Sequence, residues 1–336
     1  MDINYANDSS RIAYCRLVSG GAVMNDRLTG VGGVWPATLT PFSDDGGIDA
    51  AAFMRHVDEI ASTPGVRALV VNGHAGEATS LDLHERARIV AQANEAARGL
   101  PVVAGVLAED TRAACAQARD AQRAGAAGLL LFAPALFAQG ARGRPEVVRE
   151  FVRRVAQASD LPIVLFQLSW ASGLGYEAAL LAELLAEVPQ IVAIKEGSDV
   201  PERYEDTLRV AREAGRPVSV LSSCNTWLLG SLVYGGQGVL SGLGSVASPL
   251  LVELCEAMAQ GELARARAVN ERLLPLCRAF YRAPYFDCHN RMKTALHLLG
   301  KLPNAVPRAP LLAIGAAERE RIAAALADAG FERVAG

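Results

Sequence analysis

Residues 162–196 read PIVLFQLSWASGLGYEAALLAELLAEVPQIVAIKE: an apolar run, an amphipathic stretch and a second apolar run. The outer runs, PIVLFQ at 162–167 and IVAIKE at 191–196, are nearly continuous in hydrophobicity, as parallel strands covered on both faces are. Between them, AALLAELLAEV repeats its apolar residues at three and four positions and predicts a helix. The unit is strand, helix, parallel strand. It recurs in both directions. Toward the N-terminus lie VWPATL (34–39), ALVVNG (68–73), PVVAGV (101–106) and GLLLFA (128–133), and toward the C-terminus VSVLSS (218–223) and GVLSG (238–242). Amphipathic stretches such as DLHERARIVAQANEAA and PERYEDTLRVAREAG separate them, at a repeat of roughly 30 residues, the length of a βαβ unit.

Eight strands with helices between them predict an α/β chain folded as a (β/α)8 TIM barrel. A doubly wound sheet fits less well, because PFSDDGG follows the first strand and no G-x-G-x-x-G does. After the eighth strand come SPLLVELCEAMAQ and helical patterns near 262–281, 288–300 and 316–329, which predict a C-terminal helical annex. The expected division is a loosely ordered extension over 1–32, the barrel over 33–248 and the helical region over 249–336. The first 23 residues carry no apolar core of a secretory signal, and read either as a mis-called start or as a loose extension.

Composition narrows the function classes. Of 336 residues, 51% are hydrophobic and 21% charged, which excludes a predominantly disordered chain. Lys and Arg number 33 against 36 Asp and Glu, so no broad electrostatic case exists for nucleic acid or an anionic membrane as partner. No apolar run approaches the length of a transmembrane helix. The six cysteines form no C-x-x-C pair and read as free thiols of a cytoplasmic protein. No His, Asp and Glu cluster has metal-ligand spacing, so no metal is expected.

In such barrels, chemistry sits at the carboxyl ends of the strands. Lys195 ends the sixth strand; alternation places it with Ala193 toward the barrel mouth and Val192 with Ile194 toward the helices. An amine stripped of water there has a lowered pKa and is a Schiff-base nucleophile, whereas the plainer alternative pairs it with a carboxylate across the barrel. The turn Gly73-His74-Ala75-Gly76-Glu77 follows the second strand. Its two glycines let backbone N–H groups close on a substrate carboxylate, or they serve an ordinary strand-to-helix turn. A 2-oxo acid would use both features, its carbonyl on Lys195 and its carboxylate on the turn. His74 reads either as a proton shuttle or as a residue that positions the loop. His56, His84, His289 and His297 read as surface or packing residues.

These residues fall in a familiar order. The chain resembles the dihydrodipicolinate synthase / N-acetylneuraminate lyase family of class I, pyruvate-dependent aldolases, from about Gly33 to about Leu312. The landmarks are VWPATLTPF (34–42), GHAGEATSL (73–81), IKEGS (194–198), GGQGVLS (235–241) and MKTAL (292–296). The resemblance implies a TIM barrel, a Schiff base on Lys195 in place of a cofactor, carboxylate binding by Gly73–Glu77, and a pyruvyl site lined by the Leu240 backbone. It also implies a 2-oxo acid and an aldehyde as partners, and a homo-oligomer, commonly a tetramer. The family's turn usually reads GTTGE or GSTGE, its proton-relay tyrosine falls on Phe166, its tyrosine pair on Ala135 and Leu136, and the arginine of true dihydrodipicolinate synthases on Ala171. Two readings follow: a Schiff-base lyase in which His74 replaces the missing hydroxyls, or a catalytically impaired protein that binds 2-oxo acids on the same scaffold. Dihydrodipicolinate synthase activity itself is not expected. Phe166, Leu136 and Trp170 would make the pocket apolar, which suits an aromatic or alkyl aldehyde.

Overall fold

The computed structural model describes residues 27–332, so the readings made for residues 1–23 lie outside the described residues. The strands are β1 (Gly33–Pro36), β2 (Leu69–Val71), β3 (Val102–Val106), β4 (Gly128–Leu131), β5 (Ile163–Gln167), β6 (Ile191–Glu196), β7 (Ser219–Ser222) and β8 (Gly238–Ser241). All pair in parallel with their neighbours in chain order, and β8 pairs with β1. Bridges from Val34 to Val66 and from Ala37 to Val70 complete the ring. The predicted barrel is the observed one.

Helices α1 (Ala50–Ala61), α2 (Leu83–Ala96), α3 (Thr111–Arg123), α4 (Pro145–Gln157), α5 (Ala178–Glu187), α6 (Pro201–Glu213) and α7 (Leu228–Val233) alternate with the strands. Asp49, Asp82 and Asp110 cap the first three by accepting backbone N–H groups, and Asp82 with Glu85 forms a full capping box. Pro145 and Pro201 start α4 and α6, where a missing N–H costs nothing. Four helices follow: α8 (Gly244–Ala259), kinked at Ala247, then α9 (Leu263–Phe280), α10 (Cys288–Leu298) and α11 (Ala316–Asp328). No helix of the described residues is long and apolar enough to cross a membrane.

Two apolar layers follow from strand alternation. Val34, Leu69, Val71, Leu129, Leu131, Ile163, Leu165 and Ile194 pack outward against the helices. Trp35, Val70, Val103, Leu130, Val164, Leu221 and Leu240 fill the barrel. Leu28, from the segment assigned to the extension, is fully buried in this inner layer, so residues just ahead of β1 plug the barrel. One alternation differs from the sequence reading. Val192 joins Ala193 in the inner layer, because the register between β5 and β6 shifts: Ile163 pairs with Ile191, but Val164 with Ala193. The irregularity sits three residues before Lys195 and leaves that residue's inward direction unchanged.

Candidate active site

Lys195 is buried at the end of β6, level with Phe166 on β5 and Leu221 on β7. Its Nζ lies 4.0 Å from the centroid of the Phe166 ring and faces a cavity of about 860 Å³ at the barrel mouth. Among the described residues no carboxylate or other hydrogen-bonding group pairs with it. Burial alone pulls its pKa from 10.5 down to about 7. The carboxylate-pair alternative for this lysine does not hold.

The turn after β2 is shaped by its neighbours. Asn72 and Glu77 both adopt left-handed backbone, and the N–H groups of Glu77 and Ala78 are spent on the carbonyls of His74 and Gly73. The N–H groups of Ala75 and Gly76 have no acceptor among the described residues. Gly105 on β3 makes room for this path: a Cβ there would stand 2.0 Å from the Asn72 carbonyl oxygen. From the loop after β1, Thr40 donates to the Gly76 carbonyl at 2.8 Å. The Glu77 carboxylate is already partnered. It accepts from Lys293 on α10 and from the Arg308 N–H at 3.2 Å, both charges being buried. The helical annex therefore clamps the turn. Lys293→Met would leave that carboxylate buried without its cation, at a cost of about 3–5 kcal/mol. Thermal melts should show a large loss, mostly recovered in the double variant Lys293→Met/Glu77→Gln.

His74 is exposed to the cavity, 4.7 Å from the Phe132 ring and 6.0 Å from that of Phe166. Burial, then the charges of Lys195 and His289, lower its pKa to about 4, so the imidazole is neutral at physiological pH. It is then a donor at one nitrogen and an acceptor at the other.

Three expectations fail here. Leu136 is 60% exposed and outside the cavity, because the short 3-10 helix Ala135–Gln139 turns Phe137 inward against Phe151 (5.6 Å) and its neighbour outward. Trp170 is also outside, held between the guanidinium groups of Arg142 (3.4 Å) and Arg203 (4.0 Å). His289, read as surface or packing, lines the cavity. Leu240 packs in the barrel's inner layer, and the cavity wall following its strand is Gly242.

Sequence reasoning missed much of the wall. Tyr281, Tyr285, Phe286, His289 and Met292 come from the annex, and Asp199, Ser223 and Asn225 from the loops after β6 and β7. Tyr281 reaches the end of β8. Its hydroxyl lies 2.9 Å from Ser241 Oγ and accepts the Leu243 N–H at 3.0 Å. Ser241 donates onward to Asn225 Oδ1 at 2.6 Å, so the phenol is the donor to Ser241. A signal was present: residues 280–286 hold four aromatics in a chain that is 6% aromatic.

A sequence model of the Dihydrodipicolinate synthetase family matches residues 30–329. The chain belongs to that family. The 4-hydroxy-tetrahydrodipicolinate synthase of Methanothrix thermoacetophila is 34% identical over 282 residues, covering 83% of this chain and 91% of that one. That of Sphingopyxis alaskensis is 34% identical over 297 residues, covering 88% and 97%. Among solved structures, the dihydrodipicolinate synthase of Thermotoga maritima superposes with a TM-score of 0.82 at 27% identity, over 90% of this chain and 99% of that one. A monomeric dihydrodipicolinate synthase variant gives 0.84 at 27% identity, over 91% and 99%. The solved members share the TIM-barrel fold described above.

Proposed function

We propose that this chain is a Schiff-base lyase that makes or breaks a carbon–carbon bond, or removes water, next to the carbonyl of a 2-oxo acid. One observation carries the reading: an unpaired, buried amine at the mouth of the barrel, facing the same cavity as a turn with two unspent backbone N–H groups. Lys195 attacks the 2-carbonyl, and loss of water leaves an iminium that draws electrons from the adjacent bond. The Ala75 and Gly76 amides hold the carboxylate. His74 moves protons where the family's tyrosine would, and a carboxylate bound beside it would raise its low pKa toward neutrality.

A second reading keeps the first chemical step and loses the rest. Phe166, against the amine, has no proton to give, which favours a protein that captures 2-oxo acids with poor turnover. Incubation with pyruvate and borohydride, followed by peptide mass spectrometry, tests the step that both readings share. A reduced adduct on Lys195 is expected; none across a panel of 2-oxo acids would remove both. The adduct's rate of formation should rise through about pH 7 and level off above it, because the amine loses its proton there. A rate still climbing at pH 10 would mean that the amine is ordinary.

A further inference from the structure

The cavity is far larger than a 2-oxo acid of pyruvate's size needs, and its remaining wall has a definite chemistry. Phe166 and Leu168 from the β5 end face Met292, Tyr285, Phe286 and Leu311 from the annex and its following loop. Tyr285 and Phe286 are 69% and 63% exposed, with rings uncovered at the rim. The loop that carries them is fixed, since the buried guanidinium of Arg291 donates to the Phe280 and Arg282 carbonyls at 3.0 and 2.6 Å.

Charge is as one-sided as shape. Lys195 is the single lysine or arginine among the described residues that line the cavity, and its nitrogen is uncharged in the enamine that meets the second reactant. Desolvation lowers the pKa of both His74 and His289, which disfavours their charged forms. Two carboxylates stand in the wall. Glu77 is neutralised by Lys293, whereas among the described residues the side-chain partner of the exposed Asp199 is the Thr226 hydroxyl. Asp199 also sits in left-handed backbone, φ 57°, immediately after the Gly197–Ser198 end of the β6 segment, which sets its side chain in the wall near the amine's strand.

We propose that the second reactant is an uncharged aldehyde with an aromatic or extended apolar body, and that Asp199 turns away aldehydes that carry a carboxylate. The inference rests on the Schiff-base reading and deepens it. Loss of a proton from C3 of the lysine-bound iminium gives an enamine. The enamine's C3 electron pair forms a bond to the aldehyde carbon, and the aldehyde oxygen takes up a proton. Water then hydrolyses the iminium, releasing a 4-hydroxy-2-oxo acid and free Lys195. The product's apolar body lies along the aromatic rim and its hydroxyl near His74. An anionic aldehyde would bring a second carboxylate into a cavity that has no further lysine or arginine to pair with it, and toward the like charge of Asp199.

The test uses the full chain with saturating pyruvate and three aldehydes: benzaldehyde, 2-naphthaldehyde and succinic semialdehyde. Both aromatic aldehydes are expected to exceed succinic semialdehyde in kcat/KM by at least about 100-fold, the scale set by an unpaired buried group. Asp199→Asn should narrow that ratio about tenfold, the effect of removing one like charge. Borohydride trapping of pyruvate alone runs alongside. Trapped pyruvate with a preference for succinic semialdehyde, or with no aldehyde turned over, overturns this inference and leaves the Schiff base standing. An unchanged ratio in Asp199→Asn overturns the role of that residue. Failure to trap pyruvate removes the Schiff-base reading beneath it.

Discussion

Lys195→Met abolishes the borohydride-trapped adduct and lowers turnover by on the order of 10⁴–10⁶-fold, the scale seen when a covalent nucleophile or its partner is removed. Methionine keeps the length and apolar stem of lysine, so the Phe166 and Leu221 neighbours keep their contacts. The same substitution should stabilise the protein, and the sign follows from the titration. The unfolded chain holds this proton up to about pH 10.5, and the folded one only up to about 7. Between those values the unfolded state binds more protons, so the parent's stability rises with pH across that window. Below about pH 7 the folded parent buries a charged amine without a partner, and methionine relieves that cost. The melting temperature of Lys195→Met should exceed the parent's most at pH 6, with the difference shrinking toward pH 10. A variant that melts below the parent at pH 6 would mean that the amine has a stabilising partner. Residual adduct on another lysine would move the chemistry elsewhere.

The barrel was legible because its code is local. Strands buried on both faces give short runs of Val, Ile and Leu, and helices between them give a 3.6-residue period, so all eight strands and the order of the helices could be read from the chain. Lys195 was legible for the same reason, since alternation within one strand sets its direction. Val192 shows the limit: a register shift between two strands is a property of the pair and leaves no mark on either run. Leu136 and Trp170 were misplaced because their loops fold back on partners distant in sequence, Phe151 for the first loop and Arg142 with Arg203 for the second. The annex was visible as helices but not as a cavity wall. The link that decides it, Lys293 to Glu77, spans 216 residues, and no spacing rule reaches that far. The apolar pocket survives the loss of two of the three side chains first invoked for it, because the annex supplies others in their place.

His74→Leu separates the two readings of this site. If His74 moves the protons, the variant keeps its adduct on Lys195, since the amine and the Ala75 and Gly76 amides remain, while turnover falls about 10²–10⁴-fold, the usual loss for one positioned acid or base. Leucine fills much of the space beside Phe132, so the fold should hold. Phe166→Tyr alone should change turnover by less than about tenfold, because the parent already has its relay. In the His74→Leu background the same change matters more: the Phe166 ring lies against Lys195 Nζ and lines the cavity, so a phenol in its place offers a proton close to the bond that reacts. The double variant should recover at least about tenfold over His74→Leu. The opposite pattern belongs to the impaired scaffold. There the parent turns over poorly, His74→Leu costs nothing further, and Phe166→Tyr by itself raises turnover about 10²–10⁴-fold by supplying the missing acid. Rates of adduct formation and of turnover, measured on the parent, both single variants and the double, decide between these outcomes, because only the second rate depends on a relay.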